Sequence, residues 1–199
     1  MMLTKLKDFF LILLKNKYVI LEMTKRDLSK KYAGQIFGKV WFFLHPIFML
    51  SVYILIFSAI LPMKTGGSVS RGDHTIYILC GLTAWLVMQE AIVRSVTVIN
   101  SNSAIIKQVV FPIELLPIKV VLNSMVSMLI YIVVLLMYML LKGEWPSYMF
   151  FLLPLIIYIQ LILVIGISFI LSSIGVYIRD LKDIIQMFSF IGVFVLPVI

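Results

Sequence analysis

Charge is scarce in this sequence. Only 13% of its 199 residues are Asp, Glu, Lys or Arg, about half the share usual in soluble domains, roughly 25%. In their place 62% of the chain is apolar, with a mean hydropathy of +1.12. A soluble globule of this size cannot bury so much apolar surface, so soluble, disordered and disulfide-scaffold classes are excluded and the bilayer is the natural solvent. Cysteine is limited to Cys80, which leaves no internal disulfide. Histidine is limited to His45 and His74, at different expected depths, and neither HExxH nor CxxC occurs; no metal site is expected. There is no GxxxxGKS/T phosphate loop, so the chain is not expected to bind ATP in the usual way, and no Ser-His-acid set follows from spacing. Acids are also few, 9 against 17 Lys+Arg, for a net charge of +8. In a membrane chain such an excess reports topology rather than nucleic-acid binding.

What is present is a series of apolar runs, which predicts an all-α, polytopic membrane protein in a single transmembrane domain over 1–199. The amino-terminal apolar block Phe9–Leu14 is too short for a secretory signal and is closed by Lys15 and Lys17. Residues 1–39 interleave Leu3, Leu6, Phe9, Phe10, Leu13, Leu14, Ile20 and Leu21 with lysines at roughly helical spacing, the pattern of an amphipathic helix lying in the membrane interface. Thr24, with Asp27 three residues on, reads as a cap that restarts a helix. Gly34 and Gly38 form GxxxG, either a simple lead into the next helix or a close helix contact.

The first predicted span is 40–61, long enough for a core of about 30 Å, with His45-Pro46 expected to kink it. The second is 76–93, carrying Glu90 near one end. Residues 94–119 are too polar to span and too apolar for a free loop; they predict short helices on the membrane surface or docked to another protein. The third span is 120–141. The fourth lies within 148–177, broken by Pro154 and rich in small residues near its end (Gly166, Ser168, Ser172, Ser173, Gly175), which favours close packing. A fifth run, 184–199, stops short of the core thickness, so the expectation is four complete spans and a truncated fifth. The segments 1–39, 94–119 and 178–183 hold nine, three and two Lys/Arg, fourteen in all, against three in the alternate loops 62–75 and 142–147. This places the amino terminus in the cytoplasm.

Chemistry has few places to sit. Glu90 is the one acid inside a span, and intramembrane acids are functional candidates. Arg94, four residues on, offers it an ordinary helix-surface ion pair instead. Asp180 and Asp183 would share a helix face, as metal-binding carboxylates do, but Arg179 and Lys182 beside them favour a cap and salt-bridge turn. Trp41, Tyr53, Phe57 and Trp85 are among many aromatics that serve interface belts and helix packing, or line a path for sugars, whose apolar faces stack on aromatic rings.

The order of these pieces resembles the membrane subunit of bacterial ABC-2 type polysaccharide exporters. The landmarks are Lys25-Arg-Asp27, Tyr32, Gly34, Gly38, Trp41 and Pro46; Gly81-Leu-Thr-Ala-Trp85 with Glu90 to Arg94; Asn100-Ser-Asn102, Ile106 to Pro112 and Leu116-Pro117; and Tyr177-Ile-Arg179-Asp180 with Pro197-Val-Ile. Phe37 and His45 stand where the family pattern has Leu and Asn. The resemblance implies a permease for lipid-linked polysaccharide (O-antigen of lipopolysaccharide, capsule or teichoic acid) in the bacterial inner membrane. It implies no catalysis and no cofactor on this chain. ATP and Mg would be bound by a separate nucleotide-binding ABC ATPase subunit, and a second copy would complete a homodimer among the membrane lipids. The family's six-span fold has two short outer-face helices and a last span beyond the point where this sequence stops. By the same resemblance, the ATPase contact falls on Asn100, Lys107, Phe111, Pro112 and Glu114, with Arg179 and Asp180 nearby. Phe111-Pro112 would be an apolar knob on a stiff turn, or else Phe111 is a lipid anchor. Trp41, Tyr53, Phe57, Trp85 and Glu90 are the candidates for the translocation path. The competing classes are a glycosyl or phosphoglycosyl transferase acting on polyprenyl-linked sugars, which would have to use Asp180 and Asp183, and a permease for drugs or small lipids.

The charge asymmetry yields a direct test. In a Cys80→Ser background, Lys107→Cys is expected to react with an impermeant maleimide only from the cytoplasmic side and Glu144→Cys only from the opposite side. The reverse labelling would overturn the orientation.

Overall fold

The computed structural model describes residues 15–31, 34, 37–56, 71–108, 112–145, 148–178 and 180–195. Within them the elements are helical throughout: α1 Lys17–Lys31, α2 Trp41–Leu55, α3 Arg71–Ser101, α4 Ser103–Gln108, α5 Leu115–Leu141, α6 Leu153–Tyr177 and α7 Leu181–Val195. Short 3-10 turns precede α2 (Gly38–Val40) and α6 (Tyr148–Leu152). Three helical stretches are long and apolar enough to cross a bilayer: Thr75–Gln108, Leu115–Leu141 and Phe150–Tyr177. In the most apolar window of the third only 6% of residues are buried. An apolar helix so little covered by protein needs hydrocarbon around it.

Helix α3 is the axis of the bundle. Helices α5, α6 and α7 pack around it, α1 lies against α5, and α2 leans on α5 with a smaller contact to α3. One core joins Leu50 of α2, Leu79 and Val87 of α3, and Met128, Tyr131 and Leu135 of α5. A second stacks Ala91, Val121 and Val164 where α3, α5 and α6 meet. Hydrocarbon outside is as apolar as these side chains, so close approach and hydrogen bonding must supply part of the attraction. The α6 seam shows both. Val164, Ser168, Ser172 and Gly175 form its buried face, and the Ser95 hydroxyl of α3 lies 2.8 Å from that of Ser168. At Gly175 a Cβ would overlap the Val96 backbone carbonyl, so the two backbones touch there. The close packing expected of the small residues is found at Ser168, Ser172 and Gly175, whereas Gly166 has open space around it.

Several boundaries differ from those read in the sequence. The polar stretch 94–101 is not a separate surface segment but the last two turns of α3. Its small polar groups hide their protons on the helix itself, as Ser95 does on the Ala91 carbonyl at 2.7 Å, so Ser95, Val96 and Val98 are buried as on any helix face. At about 1.5 Å per residue the 31-residue helix runs roughly 46 Å, well beyond a core of about 30 Å. Helix α5 begins at Leu115, ahead of the predicted 120, because Pro117 stands in its first turn where no amide proton is needed. Pro154 likewise starts α6 rather than breaking a span. Thr24 does not restart a helix: α1 runs through it, and its hydroxyl donates to the Ile20 carbonyl at 2.7 Å. Gly34 and Gly38 have φ of +84° and +48° with nothing near a would-be Cβ, so GxxxG here is a turn and not a helix contact. Pro46 lies inside α2 with its ring buried.

The α3–α6 seam can be tested by a pair of substitutions. Gly175→Ala is expected to destabilise the chain in detergent by about 1–3 kcal/mol through overpacking against backbone. Gly166→Ala is expected to be neutral or stabilising by up to about 1 kcal/mol. Equal melting behaviour of the two variants would contradict the backbone contact.

Candidate functional site

The polar end of the bundle is organised by Lys119. This residue is one turn into α5 and only 1% exposed. Its ammonium lies 2.8 Å from the Asp27 carboxylate of α1 and donates to Asn102 Oδ1 at 3.1 Å. A buried ammonium needs such partners, because desolvation disfavours charge that is not compensated. Asp27 reaches it because Ile20, Thr24 and Asp27 repeat at helical spacing, and the first two are buried where α1 packs on α5. Asn102 reaches it from the break between α3 and α4. Its amide nitrogen donates to the Val98 carbonyl at 2.7 Å, and its own carbonyl accepts from the Ile105 and Ile106 amides. One cation thus ties together α1, the α3–α4 corner and α5.

The residues expected to meet a partner are placed as follows. Asn100 is exposed, and its Nδ2 donates to the Gly175 carbonyl at 3.1 Å, covering one of the last acceptors of α6. This holds the end of α3 to the end of α6. Lys107 is exposed in the last turn of α4, next to Ile106, which packs toward Val98, Leu116 and Val120. Glu114 is exposed at the start of α5 without a side-chain cap bond, and Pro112 is half-buried beside it. Asp180 is exposed ahead of α7, where its carbonyl accepts from the Asp183 and Ile184 amides; Asp183 sits in the first helical turn, a favourable place for an acid. Phe111 and Arg179 lie outside the described residues, as do residues 1–14, where an amphipathic interface helix is expected.

The candidates for a path fall in two places. Tyr53 and Trp85 come together against Ile78, Leu82 and Val193. There the indole of Trp85 donates to the Ser189 carbonyl at 3.2 Å and lies so close to Gly192 that a Cβ there would overlap it. Trp41 stacks edge-on against Phe37 at 6.1 Å, and Phe57 lies outside the described residues. Glu90 has an ion pair of its own. It pairs with Arg94 at 3.1 Å, the i,i+4 ion pair expected from spacing. It also lines a cavity of about 330 Å³ with His45, Gln89, Tyr131 and Gln186. Gln89 and Gln186 continue into a second cavity of about 480 Å³ beside Asp183 and Phe190. The amides were missed in the sequence, as was Lys119. Gln89 and Gln160 interrupt apolar runs, Gln186 lies inside another, and Lys119 stands at the head of one. A polar group at such depth was the signal available.

Removal of the buried cation should act locally. Lys119→Met strands Asp27, which is 37% exposed, so the cost is expected near 2 kcal/mol, below the roughly 3–5 kcal/mol typical when a fully buried pair is broken. Hydrogen exchange is expected to accelerate in α1 and α4 and to stay unchanged in the middle of α6. Unaltered exchange in α1 would show that the ion pair does not hold it.

No protein-family model matches the chain. Similarity to individual proteins is extensive. The chain is 24% identical over 181 residues to the O-antigen export system permease protein RfbA of Myxococcus xanthus, covering 91% of this chain and 67% of that protein. It is 25% identical over 170 residues to each of two Klebsiella pneumoniae proteins of the same name, covering 85% of this chain and 63% of theirs. The chain thus spans about two thirds of the length of the curated relatives it matches. The resemblance carried by the sequence landmarks is therefore borne out: over most of its length this polypeptide is similar to O-antigen export permeases.

Proposed function

We propose that this chain is the permease subunit of an ATP-driven exporter that carries a lipid-linked polysaccharide, O-antigen in the first instance, across the bacterial inner membrane. The observation that carries the reading is the similarity of 85–91% of the chain to three proteins named as O-antigen export permeases. The three long apolar helices support it. A polysaccharide is too polar for hydrocarbon, so it needs a continuous protein-lined path. The cavities among the described residues are open-sided, and a second copy facing the first would complete the path. The chain is then a set of four spans followed by a fifth apolar run, with its amino terminus in the cytoplasm.

The energy would come from a separate ABC ATPase that binds ATP and Mg. Its contact is assigned to the corner between α3 and α5, with Lys107, Phe111, Pro112 and Glu114 as the touching residues and Asn100, Arg179 and Asp180 beside them. Two features support this corner as a lever. Helix α4 carries an exposed Lys107 next to a packed Ile106. Asn102, at its root, is hydrogen-bonded to the same ammonium that holds α1 and α5. Force applied to α4 would therefore be felt by α1 and by a membrane helix at once.

The test is co-expression with the cognate ATPase subunit. Phe111→Ala is expected to weaken ATPase association by about 30-fold, the loss of one aromatic anchor worth roughly 2 kcal/mol. Glu114→Lys is expected to leave assembly intact while export falls and ATP hydrolysis continues. Normal export with normal assembly in both variants would remove the coupling assignment.

A further inference from the structure

Helices α1 and α2 both rest on α5, and they leave between them an open-sided groove of about 510 Å³. Its walls are apolar: Leu21 and Leu28, on one face of α1, and Phe42 and Phe43, in the first turn of α2. Thr24 also borders the groove, but its hydroxyl proton is given to the Ile20 carbonyl at 2.7 Å. Charge is confined to α1, where Glu22, Lys25 and Ser29 repeat at helical spacing on the strip next to Leu21 and Leu28. Glu22 and Lys25 are exposed, and neither forms an ion pair among the described residues. An acid three residues ahead of a lysine is well placed for such a pair on a helix. Here the two charges instead stand side by side, not joined to each other, along an apolar slot.

The groove lies at a definite depth. Phe42 and Phe43 open the apolar run 40–61, while Lys17, Lys25, Arg26 and Lys30 of α1 stay exposed. The slot therefore sits at the boundary of headgroups and hydrocarbon. An apolar concavity at that boundary is filled by hydrocarbon rather than by water, which calls for an acyl chain. The charged strip decides which lipid carries it. An anionic headgroup would satisfy Lys25 and be repelled by Glu22. A quaternary ammonium has no N–H to donate to the carboxylate. A phosphodiester ending in a primary ammonium gives each group its complement: phosphate oxygens for Lys25 and the Ser29 hydroxyl, N–H donors for Glu22. We infer that the groove between α1 and α2 binds a zwitterionic aminophospholipid, phosphatidylethanolamine. One acyl chain lies between Leu21 and Leu28 on one side and Phe42 and Phe43 on the other, and the headgroup lies across Glu22 and Lys25. The lipid fills the gap between α1 and the first predicted span, where direct contacts are sparse. The site is a property of the isolated chain and stands apart from the transport reading.

The test titrates phosphatidylethanolamine, phosphatidylcholine and phosphatidylglycerol with identical acyl chains into the purified 199-residue chain in uncharged detergent, and counts bound lipid by native mass spectrometry. Phosphatidylethanolamine is expected to bind about fivefold tighter than the other two, the upper worth of one exposed charge pair. Glu22→Gln is expected to remove that preference. Glu22→Lys is expected to turn it toward phosphatidylglycerol, a switch that a merely structural role for an exposed residue would not produce. Leu28→Trp, which fills the slot, is expected to weaken all three lipids while keeping their order. Glycerophosphoethanolamine, the headgroup without tails, is expected not to compete. Equal affinities for the three lipids, no retained lipid, tightest binding of phosphatidylglycerol by the unaltered chain, or a preference unchanged in Glu22→Gln and Glu22→Lys would each overturn the site. So would lipid binding indifferent to Leu28→Trp, the result expected if residues 1–14 of the chain itself cover the groove.

Discussion

An ammonium group withdrawn from water has to be met by charge and by hydrogen bonds, and at Lys119 that requirement shapes a whole end of the molecule. The carboxylate comes from α1 and the amide oxygen from the α3–α4 corner, while the lysine itself opens α5. Removing any one partner leaves another stranded, so the three elements are held in a single arrangement rather than a family of loose ones. Hydrophobic contacts accompany the clamp: Ile20 with Leu115 and Ile118 on one side, and Val98 with Leu116 and Val120 on the other. Apolar packing supplies area there, and the ion pair supplies register.

Deeper in the bundle the same economy of polar groups recurs without charge. The lipid-facing surface is as apolar as the interior, so helices gain little by hiding Leu from lipid. The chain instead brings α6 against α3 at Gly175 and Val96, joins Ser95 to Ser168, and seats Trp85 over Gly192 of α7. Gln160 adds a bond from α6 to the Ala84 carbonyl of α3 at 2.8 Å. These contacts set how closely each neighbour approaches α3, and through it they position Gln89 and Glu90 relative to Gln186 of α7. The cavities beside α7 are thus a consequence of where small residues allow close approach and where larger ones forbid it.

An exporter permease has to transmit force as well as enclose a path, and stiffness at the receiving end serves both. A single 31-residue helix that runs from the apolar interior to the α4 corner is a better lever than the broken surface segment suggested by composition. The helix is interrupted at Asn102, and that is also where the clamp attaches. In the transport reading, mechanical input and the Lys119 node therefore coincide.

Much of this was legible in the linear chain. Low charge and long apolar runs require a helical membrane protein, because both are sums over neighbouring residues and need no knowledge of what meets what. The pairing of Glu90 with Arg94 was legible for the same reason, since i and i+4 share a face on any helix. The small-residue seam of α6 was legible as a tendency, although Gly166 does not take part in it. Helix ends were misread where polar side chains bond back to their own helix, as at Ser95, and where Pro117 and Pro154 occupy first turns. The meeting of Lys119 with Asp27 and Asn102, the orphaned oxygen of Asn123, and the placing of Tyr53 with Trp85 were not legible at all. Ser95 and Ser168 are 73 residues apart, and no window along the chain reports their contact. Composition and periodicity determined solvent, helicity and the sidedness expected of the loops. The crossing of helices decided which polar atoms found partners, because that depends on how closely whole backbones pass.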